Sequence, residues 1–363
     1  MKIATIVGAR PQFIKAALIS AAINREAVSG GKIREVLINT GQHYDYNMSR
    51  KFFEELNISK PDYNLNVGSA PYASQMAKMM RRIESVLKRE RPDAVLVYGD
   101  TNSTLAASLA ASKLNIPLCH VEAGLRSYDK SMPEEINRLI VDNLSTILFC
   151  PTDRAVRNLK KEDIVKDVHA VGDIMYELAM KMEKAASKRS NILKRLKLKP
   201  KRYILATIHR QANTDTRSNL CSIVKAFCRI TGIIVFPVHP RTQKMLKRFG
   251  LWQSLKKSKN IKMIPPVGYI DMICLEKNAS KIITDSGGVQ KEAYFFKIPC
   301  ITIRDRTEWT ETLNNGWNSI VGTSPDRIVA AVQKNVTGKP YLNYYGNGRT
   351  SAKIVNILKR IRV

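Results

Sequence analysis

The segment Thr284-Asp285-Ser286-Gly287-Gly288 follows a short β-branched run and leads into Val289-Gln290-Lys291-Glu292-Ala293, which reads as a helix. Backbone N–H groups at a helix N-terminus attract anions, and glycines let a phosphate come close. The plain structural alternative is a tight strand-to-helix turn capped by Ser286 or Asp285. Gly8-Ala9-Arg10-Pro11-Gln12 stands in the same kind of place after the first apolar run, with Lys15 close behind. Arg10 and Lys15 can both reach a phosphate or carboxylate at that edge; otherwise they are charges on a helix start.

Four acids, Asp100, Glu122 and the pair Glu134-Glu135, stand near expected strand ends of the first half. Asp100 follows VLVYG, Glu122 follows PLCHV, and Glu134-Glu135 follow Pro133. An acid that closes an apolar strand is partly desolvated and suited to proton transfer. Each also has a structural reading: Asp100 as a cap before Ser103-Thr104, Glu134 and Glu135 as first-turn charges matched to a helix dipole. That reading weakens when all of them gather beside Arg126 and Arg138. Of the histidines, His209 and His239 end strands and are read as ligand contacts, whereas His120 and His169 are read as structural. The histidines share no metal-ligand spacing, and the six cysteines form no CxxC pair. No metal and no disulfide framework is expected. Gly346-Asn347-Gly348 lacks a preceding strand and a third glycine, so a nicotinamide cofactor is not expected either.

These residues need a frame. Short β-branched runs alternate with helical patterns along the chain. Strands are expected at 3–7, 36–39, 94–98, 118–121, 146–149 and 168–171, then at 203–207, 233–238, 261–264, 281–284, 301–303 and 319–321. Helical periodicity covers 12–23, 72–88, 103–114 and 351–363. Repeated strand–helix units imply an α/β fold with parallel sheets covered on both faces. The charged stretch after Gly172 reads as a helix and linker. The expected division is therefore 1–172, joined by the C-terminal helix at about 351–363, and 173–350. In such sheets ligands bind outside the carboxyl ends of the strands, and the polar groups named above all follow strands. Two such domains facing one another would place them in one cleft.

Composition narrows the class. The 363 residues are 44% hydrophobic and 25% charged, which suits a globular chain of two domains. No apolar run is long enough to span a membrane, and the N-terminal one is too short for a signal peptide, so a cytoplasmic protein is expected. The net charge of +29 is unusual. Ten Lys/Arg against one acid occupy 181–202, and eight against none occupy 241–262. Without interleaved aromatics or a nucleic-acid motif, these stretches read as solvated helix faces rather than a nucleic-acid surface.

The motifs GARPQFIK (8–15), TGQHYD (40–45), VYGDTNST (97–104), HVEAGLRS (120–127), PEEINR (133–138), TIHRQAN (207–213), PVHPR (237–241), TDSGGVQKEA (284–293) and RDRTEW (304–309) occur in this order. Together they resemble the non-hydrolysing UDP-N-acetylglucosamine 2-epimerases from Lys2 to about Gly322. The resemblance implies a GT-B architecture: two Rossmann-like parallel-sheet domains with an interdomain cleft, and a C-terminal helix packed back on the first. It implies interconversion of UDP-N-acetylglucosamine (UDP-GlcNAc) and UDP-N-acetylmannosamine (UDP-ManNAc), without a cofactor and commonly as a homodimer.

By motif, Asp100, Glu122, Glu134 and His209 match the family's catalytic groups. Arg10, Lys15, Ser286, Gly287, Gly288, Glu292 and Arg304 match its substrate-binding groups, with Glu292 as the ribose-binding acid. Val267 and Met272 stand where family members contact uracil, often with an aromatic. Gln42, His43, Arg210 and His239 resemble the site at which bacterial members bind a second UDP-GlcNAc as activator, although Ala212 replaces a common glutamate. C2 of the sugar is not adjacent to a carbonyl, so its proton is poorly acidic. Loss of the anomeric UDP first would make it acidic, which favours elimination and re-addition through a glycal. A hydrolysing relative, a GT-B glycosyltransferase and, more remotely, a nucleic-acid-binding protein are the alternatives.

Overall fold

The computed structural model describes residues 1–42, 60–334 and 340–361, and of Arg10 it describes the backbone alone. His43 lies outside the described residues. The chain forms two compact units, Met1–Leu178 with Asn343–Val363, and Ala179–Leu342.

The first unit is built on seven strands: β1 (Lys2–Val7), β2 (Arg34–Asn39), β3 (Tyr63–Asn64), β4 (Ala94–Tyr98), β5 (Leu118–Val121), β6 (Ile147–Cys150) and β7 (Val168–Ala170). Their order is β3-β2-β1-β4-β5-β6-β7, with every pairing parallel. The second unit holds β8 (Tyr203–Thr207), β9 (Ile233–Pro237), β10 (Ile261–Ile264), β11 (Lys281–Thr284), β12 (Cys300–Thr302) and β13 (Asn318–Ile320). Their order is β10-β9-β8-β11-β12-β13, again parallel throughout. In each sheet the strand order reverses at one place, between β1 and β4 and between β8 and β11. Ligand sites of doubly wound sheets lie at that reversal, outside the carboxyl ends of the strands.

Alternation explains why these strands are buried on both faces. On β8, Ile204 and Ala206 pack into one cluster with Phe227, Leu246 and Ile328. Tyr203 and Leu205 point the other way, against Leu275, Ile282 and Ile298. Side chains two apart share a face, so a strand covered by helices on both sides is apolar throughout.

Several strands shift by a residue from expectation, among them β6, which ends at Cys150, and β12, which begins at Cys300. Two-residue β3 was not anticipated. It carries no alternation and exists because Tyr63 and Asn64 pair with Ile38 and Asn39 at the sheet edge. The units divide at 178/179 and 342/343 rather than at 172/173 and about 350. The physical reason is that the helix Ile174–Arg189 runs through the first division, so Gly172 marks no break. Gly172 instead takes a φ of +93° with no room for a Cβ, which would lie 2.9 Å from the Tyr345 carbonyl oxygen. The final helix, Thr350–Leu358, is tied into the first unit. Glu177 accepts hydrogen bonds from Ser351 N and Oγ, both 2.7 Å, and Lys359 pairs with Glu26 at 2.6 Å.

The two basic stretches are largely exposed, Lys188 and Lys256 among them. Among the described residues no helix is long and apolar enough to cross a membrane.

Candidate active site

At the reversal in the first unit, the turn after β1 is fastened by a buried glutamine. Gln12 Oε1 accepts from Gly8 N and Ala9 N at 2.9 and 3.0 Å, while its Nε2 donates to the Tyr98 carbonyl and to Thr104 Oγ1, both 2.9 Å. The turns after β1 and β4 are thereby locked together. Gly8 has no space for a side chain, because a Cβ would collide with Thr40 Oγ1 and Ser103 Oγ.

This frame brings Lys15 against Glu122, and the two form an ion pair with both side chains largely buried. Glu122 takes a φ of +73°, a conformation disfavoured for residues with a Cβ. The turn is held by Glu122 N and Ala123 N, which both donate to the Phe149 carbonyl, at 3.1 and 3.2 Å. Strain maintained in this way clusters at functional sites. Gly99 lies directly beside the pair: a Cβ there would sit 3.2 Å from Lys15 Nζ and 3.3 Å from Glu122 Oε2. Asp100, next in the chain, accepts from Arg138 Nε and Nη2 at 2.9 and 2.6 Å. Arg138 Nη1 donates to Glu135 at 2.7 Å.

The two acids of PEEINR diverge. Glu134 is exposed on the first turn of the helix Pro133–Leu144. Glu135 is buried and receives Ser127 N, Ser127 Oγ and Tyr128 N at 2.8–2.9 Å. Burial pushes the Glu135 carboxyl up, but these donors and Arg138 outweigh it and hold the group below its ordinary range. Asp142, from the same helix, is fully buried and accepts from His120, Gly124 N and Arg126. Burial again raises the group, and His120 and Arg126 overcome it, so Asp142 is also held low. Gln42 Oε1 accepts from Ser103 N and Oγ at 3.1 and 2.7 Å, at the start of the helix Asn102–Lys113.

In the second unit, Asp285 leaves β11 and turns back toward the strand beside it. It is fully buried and accepts from His209 N, Arg210 N and Asn213 Nδ2 at 3.0–3.1 Å. His209 is left with its ring half exposed, 5.6 Å from the ring of His239. His239 Nδ1 accepts from Arg241 N at 3.2 Å and so caps the helix Pro240–Arg248. Ser286 is the N-cap of the helix Gly287–Phe295. A Cβ on Gly287 would lie 2.7 Å from Glu308 Oε1 and 3.2 Å from Trp309 Nε1, so the loop is crowded on that side. Glu308 pairs with Arg304 at 2.9 Å and lies 3.8 Å from Arg210.

Deeper on the helix Gly287–Phe295, Glu292 accepts from Tyr269 Oη at 2.8 Å. Val267 and Met272 are half buried against the second cluster of that sheet. Among the described residues no group of three or more His, Cys, Asp or Glu is arranged to hold a metal ion.

Asp100, Glu122 and Lys15 thus gather at the first reversal. His209, Arg210, His239, Ser286, Gly287, Gly288 and Arg304 gather around the second. Sequence reasoning missed Asp285 as the organiser of the His209 turn, having read it only as a cap. It also missed Lys291, a buried cation 3.7 Å from the centre of the Trp309 ring, and Glu276, a fully buried carboxyl. Only the Thr-Asp-Ser spacing after β11 hinted at the first of these.

Two doubly wound parallel sheets, each with polar groups at its reversal, define a Rossmann-like α/β protein of the GT-B class. The profile of the UDP-N-acetylglucosamine 2-epimerase family matches residues 26–359, and the chain belongs to that family. It is 51% identical, over 99% of its length and 100% of the relative's, to a UDP-N-acetylglucosamine 2-epimerase homolog of Methanococcus maripaludis. It is 44% identical, over 99% of its length and 100% of the relative's, to the UDP-2,3-diacetamido-2,3-dideoxy-D-glucuronate 2-epimerase of Pseudomonas aeruginosa. The crystal structure of Methanocaldococcus jannaschii UDP-GlcNAc 2-epimerase in complex with UDP-GlcNAc and UDP superposes with a TM-score of 0.88, at 44% identity and 99% coverage of both chains.

Proposed function

We propose that the protein interconverts UDP-GlcNAc and UDP-ManNAc without hydrolysing them. The observation that carries this is the pairing of two unlike sites in one epimerase-family chain. One unit offers carboxylates held by cations, and the other offers a glycine loop at a helix N-terminus with Arg304 beside it.

The chemistry follows from the poor acidity of C2–H. The C1–O bond breaks and its electron pair leaves with UDP. The Ser286-Gly287-Gly288 amides, Arg304 and Arg10 stabilise the departing diphosphate, and Glu292 holds the ribose. The C2 proton passes to one of the groups Asp100, Glu122, Glu134 and His209, and a glycal forms. A second group delivers a proton to the opposite face of C2 while UDP re-adds at C1. No electron enters or leaves, so no nicotinamide is needed. Val267 and Met272 lie along the uracil; Gln42, His43, Arg210 and His239 take a second UDP-sugar as activator. The working form is a cytoplasmic homodimer that supplies a glycan precursor.

The test is incubation with UDP-GlcNAc in D2O. Deuterium at C2 and UDP-ManNAc in the NMR spectrum are expected; free sugar with stoichiometric UDP would point instead to hydrolysis or transfer. A second reading rests on the Pseudomonas relative, whose match equals that of the Methanocaldococcus enzyme at 44%. In it the substrate is a UDP-2,3-diacetamido-glucuronate and the same C2 chemistry applies. Turnover of that sugar and not of UDP-GlcNAc would select it.

A further inference from the structure

His120 lies on β5, fully buried, two residues before Glu122. Its Nε2 is 2.8 Å from the Gly99 carbonyl oxygen, and its Nδ1 is 2.7 Å from Asp142 Oδ1. A carbonyl oxygen only accepts, so Nε2 must carry a proton. Asp142 is likewise an acceptor throughout: its other oxygen receives Gly124 N at 3.1 Å and Arg126 Nη1 at 2.7 Å. The second ring nitrogen therefore faces an acceptor as well.

We infer that His120 is a doubly protonated, buried positioning residue that ties the Asp100 turn to the Glu122 turn through Asp142. The local charges support this. Arg126 also forms a bidentate pair with Glu162, at 2.6 and 2.7 Å. Arg126 is shared between the fully buried Asp142 and the partly exposed Glu162, and an imidazolium supplies Asp142 with a second, wholly buried cation. Beyond Gly99 stand the Lys15–Glu122 pair and, at the next residue, Asp100 paired with Arg138; the buried Cys150 thiol is also close to Asp142 and Arg126.

The mechanical consequence is specific. The Gly99 carbonyl is gripped at the residue before Asp100, and Asp142 grips the chain again at Gly124, two residues after Glu122. Both proposed proton-transfer carboxylates thus hang from one ring. Displacements of about 1 Å at reacting groups cost roughly 100-fold in rate, so a lost grip should be visible in turnover.

The kinetic arm rests on the proposed epimerisation; the spectroscopic arm does not. In protein labelled with 15N-histidine at neutral pH, the His120 ring should show two nitrogens of the protonated type. It is identified as the signal that survives in single variants of His43, His169, His209 and His239. His120→Asn should lower kcat about 10-fold or more, leave UDP affinity at its wild-type value and leave the near-ultraviolet circular dichroism unchanged. One protonated and one bare nitrogen at His120 in the wild type would overturn the inference, as would a folded His120→Asn enzyme with wild-type kcat. If the wild type epimerises no UDP-sugar, the proposed function fails while the nitrogen spectrum still decides the state of the ring.

Discussion

The two units order their strands alike, and their reversals hold opposite chemistry. At the first, acids are paired with cations: Glu122 with Lys15, Asp100 with Arg138. At the second, the fully buried Asp285 is occupied by the backbone of the His209 turn, and the edge presents a helix N-terminus and arginines. A shared topology places groups at an edge without choosing them. On the proposed function the candidate carboxylates and the glycine loop lie on different sheets, so proton transfer by those carboxylates and diphosphate binding should be separable by mutation.

The largest effects should come from the first reversal. Asp100→Asn, Glu122→Gln and Glu134→Gln are each expected to cut turnover by ~100-fold or more, the scale of a lost general acid or base. UDP binding measured by calorimetry should change little. Comparable losses of UDP affinity in these variants would break the division of labour between the units.

Gly287→Val addresses the other side. The branched side chain meets Glu308 and Trp309 at the proposed diphosphate loop, so UDP affinity and rate should both fall, by about 10-fold or more. Lys188→Ala, on the exposed face of the helix Ile174–Arg189, should alter neither. A folded Gly287→Val enzyme with wild-type UDP affinity would remove the loop from the binding site.

Stability sharpens the contrast between the units. Glu135 and Asp142 are held below the carboxylate range in the folded first unit. Their contribution is complete above the ordinary carboxylate range and is lost as pH falls through the lowered folded values. Asp142→Asn removes the buried carboxylate that Arg126 and His120 share and should cost about 3 kcal/mol or more in urea unfolding at neutral pH. That deficit should shrink as the wild type is acidified below about pH 4. A deficit that stays constant down to that range would mean the pairing is not what Asp142 supplies.

The smallest effect is expected in the second unit, with the opposite sign. Burial first, and then the Glu292 carboxylate, push Glu276 well above its ordinary range. Its folded form is favoured at low pH and loses ground as pH rises through the raised value. Glu276→Gln removes that titration. It should leave stability near pH 5 unchanged and raise it modestly near pH 9, relative to the wild type. A uniform loss across the range would show that the acid serves packing alone.

Much of this was legible from residue order. The strands were readable because short β-branched runs bounded by Gly, Pro and Asp report a buried parallel sheet directly. The turns at Ser286-Gly287-Gly288 and Gly99-Asp100 were readable because tight turns between a strand and a helix demand particular residue types at particular places. In PEEINR the sequence presents two adjacent acids without saying that Glu134 faces outward while Glu135 is buried, because neighbouring helical residues point about 100° apart and the phase is set by packing.

By itself, then, the amino-acid order determined the alternation of strands and helices, the parallel sheets and the turns that end them. Each depends on neighbours within a few residues: backbone preference, side-chain periodicity and capping. Tertiary structure alone decided which charges meet. Lys15 finds Glu122, Arg138 finds Asp100, His120 finds Asp142 and Asp285 finds His209, across 107, 38, 22 and 76 positions. Such partners are brought together only when the sheet sets neighbouring strand ends side by side. A buried charge is stable only with its partner in place, and no local pattern in the sequence records who that partner is.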